Sequence, residues 1–316
     1  MSRIRFICHD NPKPSGGIKV LYQHVEILCD NGFDAAILHF NPGFNLDWLD
    51  STAPVIDATK NLELKPCDWI VIPEDDIQAL ESFANVACKR IVFCQGHFNI
   101  FKALKKKKTW KDYGINHVLA SSTEIQSYIK MVFGIHANLI PLAINHGIFK
   151  PGLQKNPLAV AYMPRKGSWN LKLIISSFWH QYPQLREVEW IAIDNMSETQ
   201  VAKVLQHASI FISTGYQEGF GLPPVEAMAC GAIVVGFKGG GGKDYATESN
   251  GIWVNDEDPI SLVKVLSDTL SQLKQQPHHP SFTNLRDQGF KTASRYNKER
   301  TKKELINIWR KLASLS

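Results

Sequence analysis

Two carboxylates, Glu218 and Glu226, lie eight positions apart in the segment TGYQEGFGLPPVEAMACG, which spans residues 214–231. Carboxylates are strong acceptors for hydroxyl donors such as those of a sugar. The same segment predicts a loop that leads into a helix, and the backbone N–H groups at a helix start attract phosphate-like anions. Together these features indicate a ligand in which a sugar is joined to a phosphate.

The local pattern predicts where these two acids lie. The apolar run at 210–212 predicts a short buried strand, and residues 225–230 predict a helix that ends at Gly231. We therefore expect Glu218 in the intervening loop and Glu226 in the first helical turn. A structural interpretation stays open for each feature alone, since Glu226 would also complement the helix dipole and the glycines would also permit a tight turn.

The whole string resembles the donor-site signature of retaining glycosyltransferases of family 4 (glycosyl transferases group 1), which depend on nucleotide sugars and have the GT-B fold. The resemblance implies an α/β protein of two Rossmann-like domains that face each other across a cleft. It also implies transfer of a sugar from a nucleotide-diphosphate donor to an acceptor hydroxyl, with retained anomeric configuration. The residues that fit the signature are Glu218, Gly219, Phe220, Gly221, Leu222, Pro223, Glu226, Ala227, Met228, Ala229 and Gly231.

The resemblance assigns roles within this string. Glu226 would accept hydrogen bonds from the donor ribose, and Glu218 would hold hydroxyls of the transferred sugar. Backbone N–H groups of the loop would stabilise the charge that grows on the departing diphosphate. The donor-binding residues inside the signature would then be Gly219, Phe220, Gly221, Leu222 and Glu226.

Two cations outside the signature can act on the same diphosphate. Arg165 and Lys166 follow the predicted strand at 158–163, and adjacent cations at a strand end can clamp a diphosphate and steady a leaving group. Two solvated cations are the structural alternative. With both cations and the loop N–H groups available, we expect no metal ion and no cofactor besides the nucleotide-sugar substrate.

The first half of the chain carries two further candidates. Gly16 and Gly17 are predicted to lie in the loop before a helix at 18–29, where glycines let the backbone approach a bound diphosphate. His97 follows the predicted strand at 90–94 and resembles the active-site histidine of the family. With Glu218, Arg165 and Lys166, it completes the predicted catalytic group.

Two loops depart from the family pattern and keep other hypotheses open. Residues 142–145 read Leu-Ala-Ile-Asn where the family has Asn-Gly-Val-Asp. After the glycines at 239–242, Asp244 or Tyr245 falls near the place of the family's Glu, so neither receives a role. One alternative is a catalytically inactive, transferase-like partner protein that binds nucleotide or sugar. Another is a GT-B nucleotide-sugar epimerase, which would need no acceptor.

Strands that alternate with helices predict parallel sheets with helices on both faces. We divide the chain into an acceptor-side domain at 1–148, a donor-binding domain at 149–293, and a closing helix at 294–316 that returns to the first domain. The expected partners are a nucleotide-sugar donor and a saccharide or glycolipid acceptor, in polysaccharide or glycoconjugate biosynthesis. No nucleic-acid-binding motif is present.

The formal net charge of +5 lies entirely in residues 146–316, because the first 145 residues are balanced. Basic clusters at 105–108, beside Phe98 and Phe101, and at 286–311 are typical of anionic membrane surfaces, although solvated faces are the alternative. No apolar run approaches the roughly 20 residues of a membrane span, and the N-terminus is a poor secretory signal. Six cysteines without a CxxC pair indicate free thiols in a reducing compartment, so we expect a cytoplasmic protein with a peripheral contact to the inner membrane face.

Overall fold

The structure is a computed structural model that describes residues 2–59, 62–105 and 107–314. The predicted basic cluster at 105–108 and the predicted tail at 294–316 are therefore described in part, with Lys106, Leu315 and Ser316 outside the described residues. The contacts divide the chain into two units. The first comprises the chain up to Ala143 together with the part from Lys298 onward, and the second comprises Ile144–Asn297.

The first unit contains, among the described residues, a seven-stranded parallel sheet in the order β3-β2-β1-β4-β5-β6-β7. Its strands are β1 (Arg3–Ile7), β2 (Asp34–His39), β3 (Val55–Asp57), β4 (Trp69–Pro73), β5 (Lys89–Cys94), β6 (His117–Ala120) and β7 (Asn138–Leu139). Its helices are α1 (Gly16–Asp30), α2 (Ile77–Phe83), α3 (Ile100–Ala103), α4 (Thr123–Phe133) and α10 (Lys298–Ala313).

The second unit contains a five-stranded parallel sheet within the described chain, in the order β12-β11-β10-β8-β9. Its strands are β8 (Asn156–Tyr162), β9 (Glu189–Ala192), β10 (Ala208–Ser213), β11 (Ile233–Phe237) and β12 (Gly251–Val254). Its helices are α5 (Ser168–Gln181), α6 (Glu198–His207), α7 (Leu222–Ala229), α8 (Pro259–Gln275) and α9 (Pro280–Ser294). The predicted α/β class with parallel sheets is thus confirmed.

Each sheet has its own apolar core. In the first unit, strands β4 to β6 are almost wholly apolar and pack against α2, α3 and α4. In the second unit, β8, β10 and β11 pack against α5 and α8. Strands that are buried on both faces have continuous apolar sequences, which is why these segments were recognisable without a structure.

Helix α10 belongs to the first unit by its contacts. The Trp309 indole is buried, with its ring centroid 6.0 Å from that of Phe6 and 5.9 Å from that of Trp69. Thr301 Oγ1 donates to the carbonyl of Pro141 at 2.7 Å. No helix in the described ranges is both long and apolar enough to cross a bilayer. The functional division into acceptor-side and donor-binding domains stays a prediction.

Two elements of the first unit differ from the sequence predictions. Helix α1 begins at Gly16, so Gly16 and Gly17 are its first residues and do not lie in the preceding loop. Strand β3 was not predicted, because three half-exposed residues give too short a pattern to recognise.

Candidate functional site

Lys166 and Glu218 meet at one edge of the second sheet. Lys166 follows β8 and Glu218 follows β10, and since these strands are parallel neighbours their carboxyl ends lie side by side. The Lys166 ammonium lies 2.6 Å from Oε1 and 2.7 Å from Oε2 of Glu218. The two side chains are 35% and 18% exposed, so the ion pair is partly shielded from water yet open on one side. Two of the three predicted catalytic residues of this unit are therefore in direct contact.

Backbone packing fixes the position of the loop that contains Lys166. The Thr214 hydroxyl donates to the carbonyl of Lys166 at 2.5 Å. Gly167 has a φ of +66°, and a Cβ there would lie 2.3 Å from the carbonyl oxygen of Thr214. Because only glycine combines this conformation with such a close approach, the loops after β8 and β10 are locked together at this point.

The Glu218 loop is held from its other side by the glycine loop that follows β11. The Gly241 N–H donates to the carbonyl of Glu218 at 3.0 Å. A Cβ at Gly241 would lie 1.9 Å from the carbonyl oxygen of Gly219, and a Cβ at Gly239 would lie 2.1 Å from that of Gly215. The main chain on both sides of Glu218 therefore packs directly against glycine backbone.

Helix α7 starts where this loop ends. Gly221 has a φ of +84° and is the N-cap, and the helix begins at Leu222, with Pro223 in its first turn. Proline suits this turn because its missing N–H has no partner there anyway. The predicted helix start at 225 is therefore wrong by three residues.

The earlier helix start changes the position of Glu226. This residue lies in the second turn of α7 and not in the first, which contains no acid. Glu226 is 5% exposed, so its carboxylate is buried. The helix dipole does not explain Glu226, because the favourable interaction of an acid with the dipole is confined to the first turn.

Tyr245 supports the helix start and received no role from the sequence. Its hydroxyl donates to the carbonyl of Gly221 at 2.8 Å, and its ring packs edge-on against Phe220, with the centroids 5.3 Å apart. Tyr296 contacts both rings. Burial raises the pKa of the Tyr245 phenol well above its ordinary value, so this hydroxyl stays a donor. Only the structure brings Tyr245 to Gly221, because 24 positions separate them in the chain.

An open cleft of about 480 Å³ lies beside the ion pair. This volume is within the usual range for ligand sites. Its lining residues are Arg165, Lys166, Gly167, Trp169, Asn170, Gly215, Tyr216, Gln217, Glu218 and Glu257. The predicted cations Arg165 and Lys166 thus line the same cleft as Glu218.

Three consecutive acidic residues, at 256–258, lie beside the cleft, and two of them accept hydrogen bonds from backbone N–H groups. Asp256 Oδ1 accepts from the N–H of Gly239 at 3.1 Å, and Asp258 Oδ1 accepts from the N–H of Ser261 at 3.0 Å as the N-cap of α8. Both aspartates therefore hold loop and helix ends, and only Glu257 between them lines the cleft.

The candidates of the first unit are linked by two residues that the sequence did not single out. The Gln95 amide donates to the carbonyl of Gly17 at 3.1 Å, and the Glu74 carboxylate accepts from the N–H of Gln95 at 3.1 Å. Gln95 precedes His97 by two positions, so this network ties the Gly16–Gly17 helix start to the His97 segment. Glu74 is buried, and burial together with the charge of Asp75 raises the pKa of its carboxyl to about 7.

His97 begins a short 3-10 turn directly after this network. Its buried ring lies 3.9 Å from the ring of Phe98 and 4.8 Å from that of Tyr128, measured between centroids. Aromatic packing on two sides therefore fixes the plane of the imidazole. The signal that led to His97, a polar residue at the carboxyl end of a buried strand, also applies to Glu74 at the end of β4.

Comparison with known proteins shows what the sequence is similar to. Residues 180–280, which include the signature, match the model of the family described as glycosyl transferases group 1. The chain is 27% identical over 242 residues to an alpha-1,6-glucosyltransferase of Actinobacillus pleuropneumoniae serotype 7 (strain AP76), which covers 74% of this chain and 72% of that protein.

Solved structures share the fold. A sucrose-phosphate synthase from Thermosynechococcus elongatus superimposes with a TM-score of 0.72 at 15% identity, over 100% of both chains. HepE of Anabaena, solved in complex with UDP-glucose, superimposes with a TM-score of 0.67 at 14% identity, over 98% of this chain and 100% of that one. The chain is thus similar in sequence to group 1 glycosyltransferases, and it shares its fold with GT-B glycosyltransferases of known structure.

Proposed function

We propose that the protein transfers a sugar from a nucleotide-diphosphate donor to an acceptor hydroxyl, with retention of anomeric configuration. The observation that carries this proposal is the contact between Lys166 and Glu218 at the mouth of the cleft, with the N-terminus of α7 beside it. This edge offers cations and N–H groups for a diphosphate, and a carboxylate for sugar hydroxyls.

The donor diphosphate would bind to Arg165 and Lys166 and to the N–H groups at the start of α7. A diphosphate at this place competes with Glu218 for the Lys166 ammonium. Once Lys166 turns to the phosphate, the Glu218 carboxylate is available for the hydroxyls of the transferred sugar. The buried Glu226 would accept hydrogen bonds from the donor ribose.

In the transfer step, the bond between the anomeric carbon and the phosphate oxygen breaks, and a bond from the same carbon to the acceptor oxygen forms on the same face. The acceptor proton passes to an oxygen of the departing diphosphate. Arg165, Lys166 and the loop N–H groups stabilise the charge that develops on this leaving group, and such donors are each worth roughly 2.7–4 kcal/mol. With these donors in place, the proposal requires no metal ion. His97, at the sheet edge of the first unit, is proposed to contact the sugar.

The known proteins suggest which donor to test first. HepE was solved with UDP-glucose, and the curated relative is named as an alpha-1,6-glucosyltransferase. We therefore propose a UDP-hexose as the donor and a saccharide or glycolipid as the acceptor, in polysaccharide or glycoconjugate assembly.

Calorimetric titration with UDP, GDP, dTDP and ADP tests the donor site, with Glu226→Gln as the matched variant. We expect one nucleotide to bind best and the variant to lose most of that affinity. A folded wild-type protein that binds none of the four would contradict the proposal and favour a non-catalytic partner protein.

Product analysis then tests the reaction with the sugar conjugate of the preferred nucleotide. Proton NMR of the product should show the anomeric configuration of the donor. Release of free nucleotide with an isomerised sugar, and without need for an acceptor, would instead identify an epimerase.

A further inference from the structure

Helix α5 of the second unit has apolar side chains on two opposite faces. Leu171, Ile174 and Phe178 are buried, and the last two belong to the core of the unit. On the other face, Trp169 is 78% exposed and Trp179 is 55% exposed. The solvent face of a helix in a globular protein normally carries charged and polar residues. A single exposed apolar residue is ordinary, but two tryptophans on one such face require an explanation.

These tryptophans belong to a continuous strip. We define the Trp169 strip as the exposed side chains Trp169, Leu173 and Trp179 of α5. With 3.6 residues per turn, the three side chains fall within about 120° around the helix axis. Trp179 follows Trp169 by ten positions, which is about 15 Å along the axis. The strip is therefore long and narrow.

The strip starts at the cleft of the proposed donor site. Trp169 lines this cleft together with Lys166 and Glu218. Because Trp169 lies in the first turn of α5, the rest of the helix leads away from the cleft. A linear ligand that leaves the cleft along α5 would pass Leu173 and then reach Trp179.

The chemistry of the strip favours a neutral saccharide as this ligand. The C–H groups on one face of a hexose ring pack against aromatic rings, and tryptophan offers a large, rigid surface for them. Accessible polar residues on or beside the strip can donate to and accept from sugar hydroxyls, and these are Asn170, Ser176 and His180. Lys172 is the one Lys, Arg, Asp or Glu in the sequence of α5. The helix therefore lacks the basic cluster that an anionic polymer or an anionic lipid surface requires.

A second copy of the chain is a less suitable occupant of the strip. A whole aromatic side chain buries roughly 150–250 Å². Only parts of two tryptophans and one leucine are exposed in the strip. A stable protein interface buries roughly 800 Å² on each partner, which is more than these three side chains supply. A narrow row of rings suits a linear chain better than a flat protein surface.

We propose that the Trp169 strip binds a chain of neutral hexose units that extends from the cleft along α5, with sugar rings stacked on Trp169 and Trp179. The inference rests on the proposed function, because it takes the transferred hexoses as the units of this chain. A saccharide held outside the cleft keeps its reactive end at a high effective concentration beside the donor. The strip would thus retain a growing chain between successive transfers.

Native affinity electrophoresis tests the proposal, in gels that contain a neutral glucan, galactan or mannan. At least one of these polymers should retard the wild type. Trp169→Ala and Trp179→Ala should each raise the dissociation constant for that polymer roughly tenfold. Soluble oligomers that are long enough to span the roughly 15 Å between the two positions should compete better than the monosaccharide does.

Two control variants separate the strip from general exposure and from charge. Phe101→Ala removes an exposed ring of the first unit, and Lys172→Ala removes the permanent charge of α5. Both should bind the polymer like the wild type, and thermal unfolding should confirm that every variant is folded. The proposal is overturned if no polymer retards the wild type, if either tryptophan variant binds like the wild type, or if Lys172→Ala loses as much affinity as Trp179→Ala.

Nucleotide titration of the same variants distinguishes this inference from the proposed function. Trp179→Ala should bind the preferred nucleotide diphosphate like the wild type. A wild type that binds nucleotide but no polymer would overturn the strip and leave the transfer proposal in place. A wild type that binds polymer through both tryptophans but binds no nucleotide would support the strip and contradict the transfer proposal. If Trp169→Ala loses affinity for nucleotide alone, Trp169 belongs to the donor site and the strip is overturned.

Discussion

The two sheet edges that carry the candidate residues are built in different ways. In the second unit, Lys166 and Glu218 are held by close backbone contacts between neighbouring loops, which only glycines at positions such as 167 and 241 permit. In the first unit, His97 is held through side chains, because the Glu74 carboxylate and the Gln95 amide join segments that are far apart in the chain.

This difference predicts how each edge responds to mutation. A site made by backbone contact has little tolerance for an added methyl group, and its function should be lost abruptly. A site made by a buried carboxyl can change gradually, since that carboxyl titrates.

The largest effect is expected from Lys166→Ala, because it removes a cation from the proposed leaving group. Transfer from the preferred nucleotide sugar should slow by about 10²–10³-fold, or about 2.7–4 kcal/mol. Steady-state rates of nucleotide release measure this. Lys172→Ala, an exposed lysine on the following helix α5, is the control and should leave the rate unchanged. Equal rates for the two variants would show that Lys166 does not contribute to the transfer step.

Gly241→Ala tests the backbone packing of the second unit. Its Cβ would lie 1.9 Å from the carbonyl oxygen of Gly219, so the loop must move, at a cost of about 3 kcal/mol in the free energy of unfolding. Gly242→Ala is the neighbouring control, since the nearest atom to its Cβ is 3.4 Å away. Chemical denaturation of both variants measures the difference. Similar stabilities would show that the loop yields easily.

Glu74→Gln tests the buried carboxyl of the first unit. The pKa of Glu74 is raised from its usual 4.5 to about 7, so the native state holds this proton more tightly than the unfolded state does. Its contribution to stability is therefore complete below about pH 4.5 and is lost as the pH rises to about 7. Between pH 4.5 and 8 the free energy of unfolding of the wild type should fall by roughly 2–3 kcal/mol because of Glu74, and this fall should be absent in Glu74→Gln. Chemical denaturation across this pH range measures it. An unchanged pH profile would mean that Glu74 is ionised throughout.

The smallest effect is expected from Tyr245→Phe. It removes the donor to the Gly221 carbonyl and should lower stability by about 1 kcal/mol. Tyr216→Phe, at the half-buried wall of the cleft, should change stability by less than about 0.5 kcal/mol. Thermal unfolding of the two variants checks this order, and a reversed order would contradict the support that Tyr245 gives to α7.

Local signals in the sequence were enough to predict much of the second unit. The capping box at Ser197 and the N-cap at Asp258 each depend on residues only three positions apart, so helix starts of this kind can be predicted from the sequence. The predicted start of α7 was wrong. A left-handed Gly221 as N-cap, with prolines at 223 and 224 in the first turn, permits an earlier helix start than the apolar pattern suggests. Tyr245, Glu74 and Gln95 could not be predicted, because their partners are distant in the chain and only the folded sheets bring them together.

Titration of the preferred nucleotide diphosphate into Lys166→Ala and Glu218→Gln tests the central claim most directly. If the diphosphate competes with Glu218 for Lys166, Lys166→Ala should bind about tenfold more weakly or worse, whereas Glu218→Gln should bind as tightly as the wild type or more tightly. The charge of Glu218 is proposed to serve the sugar hydroxyls, whereas towards the nucleotide it only competes for Lys166. Equal weakening in both variants would contradict it, because the ion pair would then serve only to order the loop.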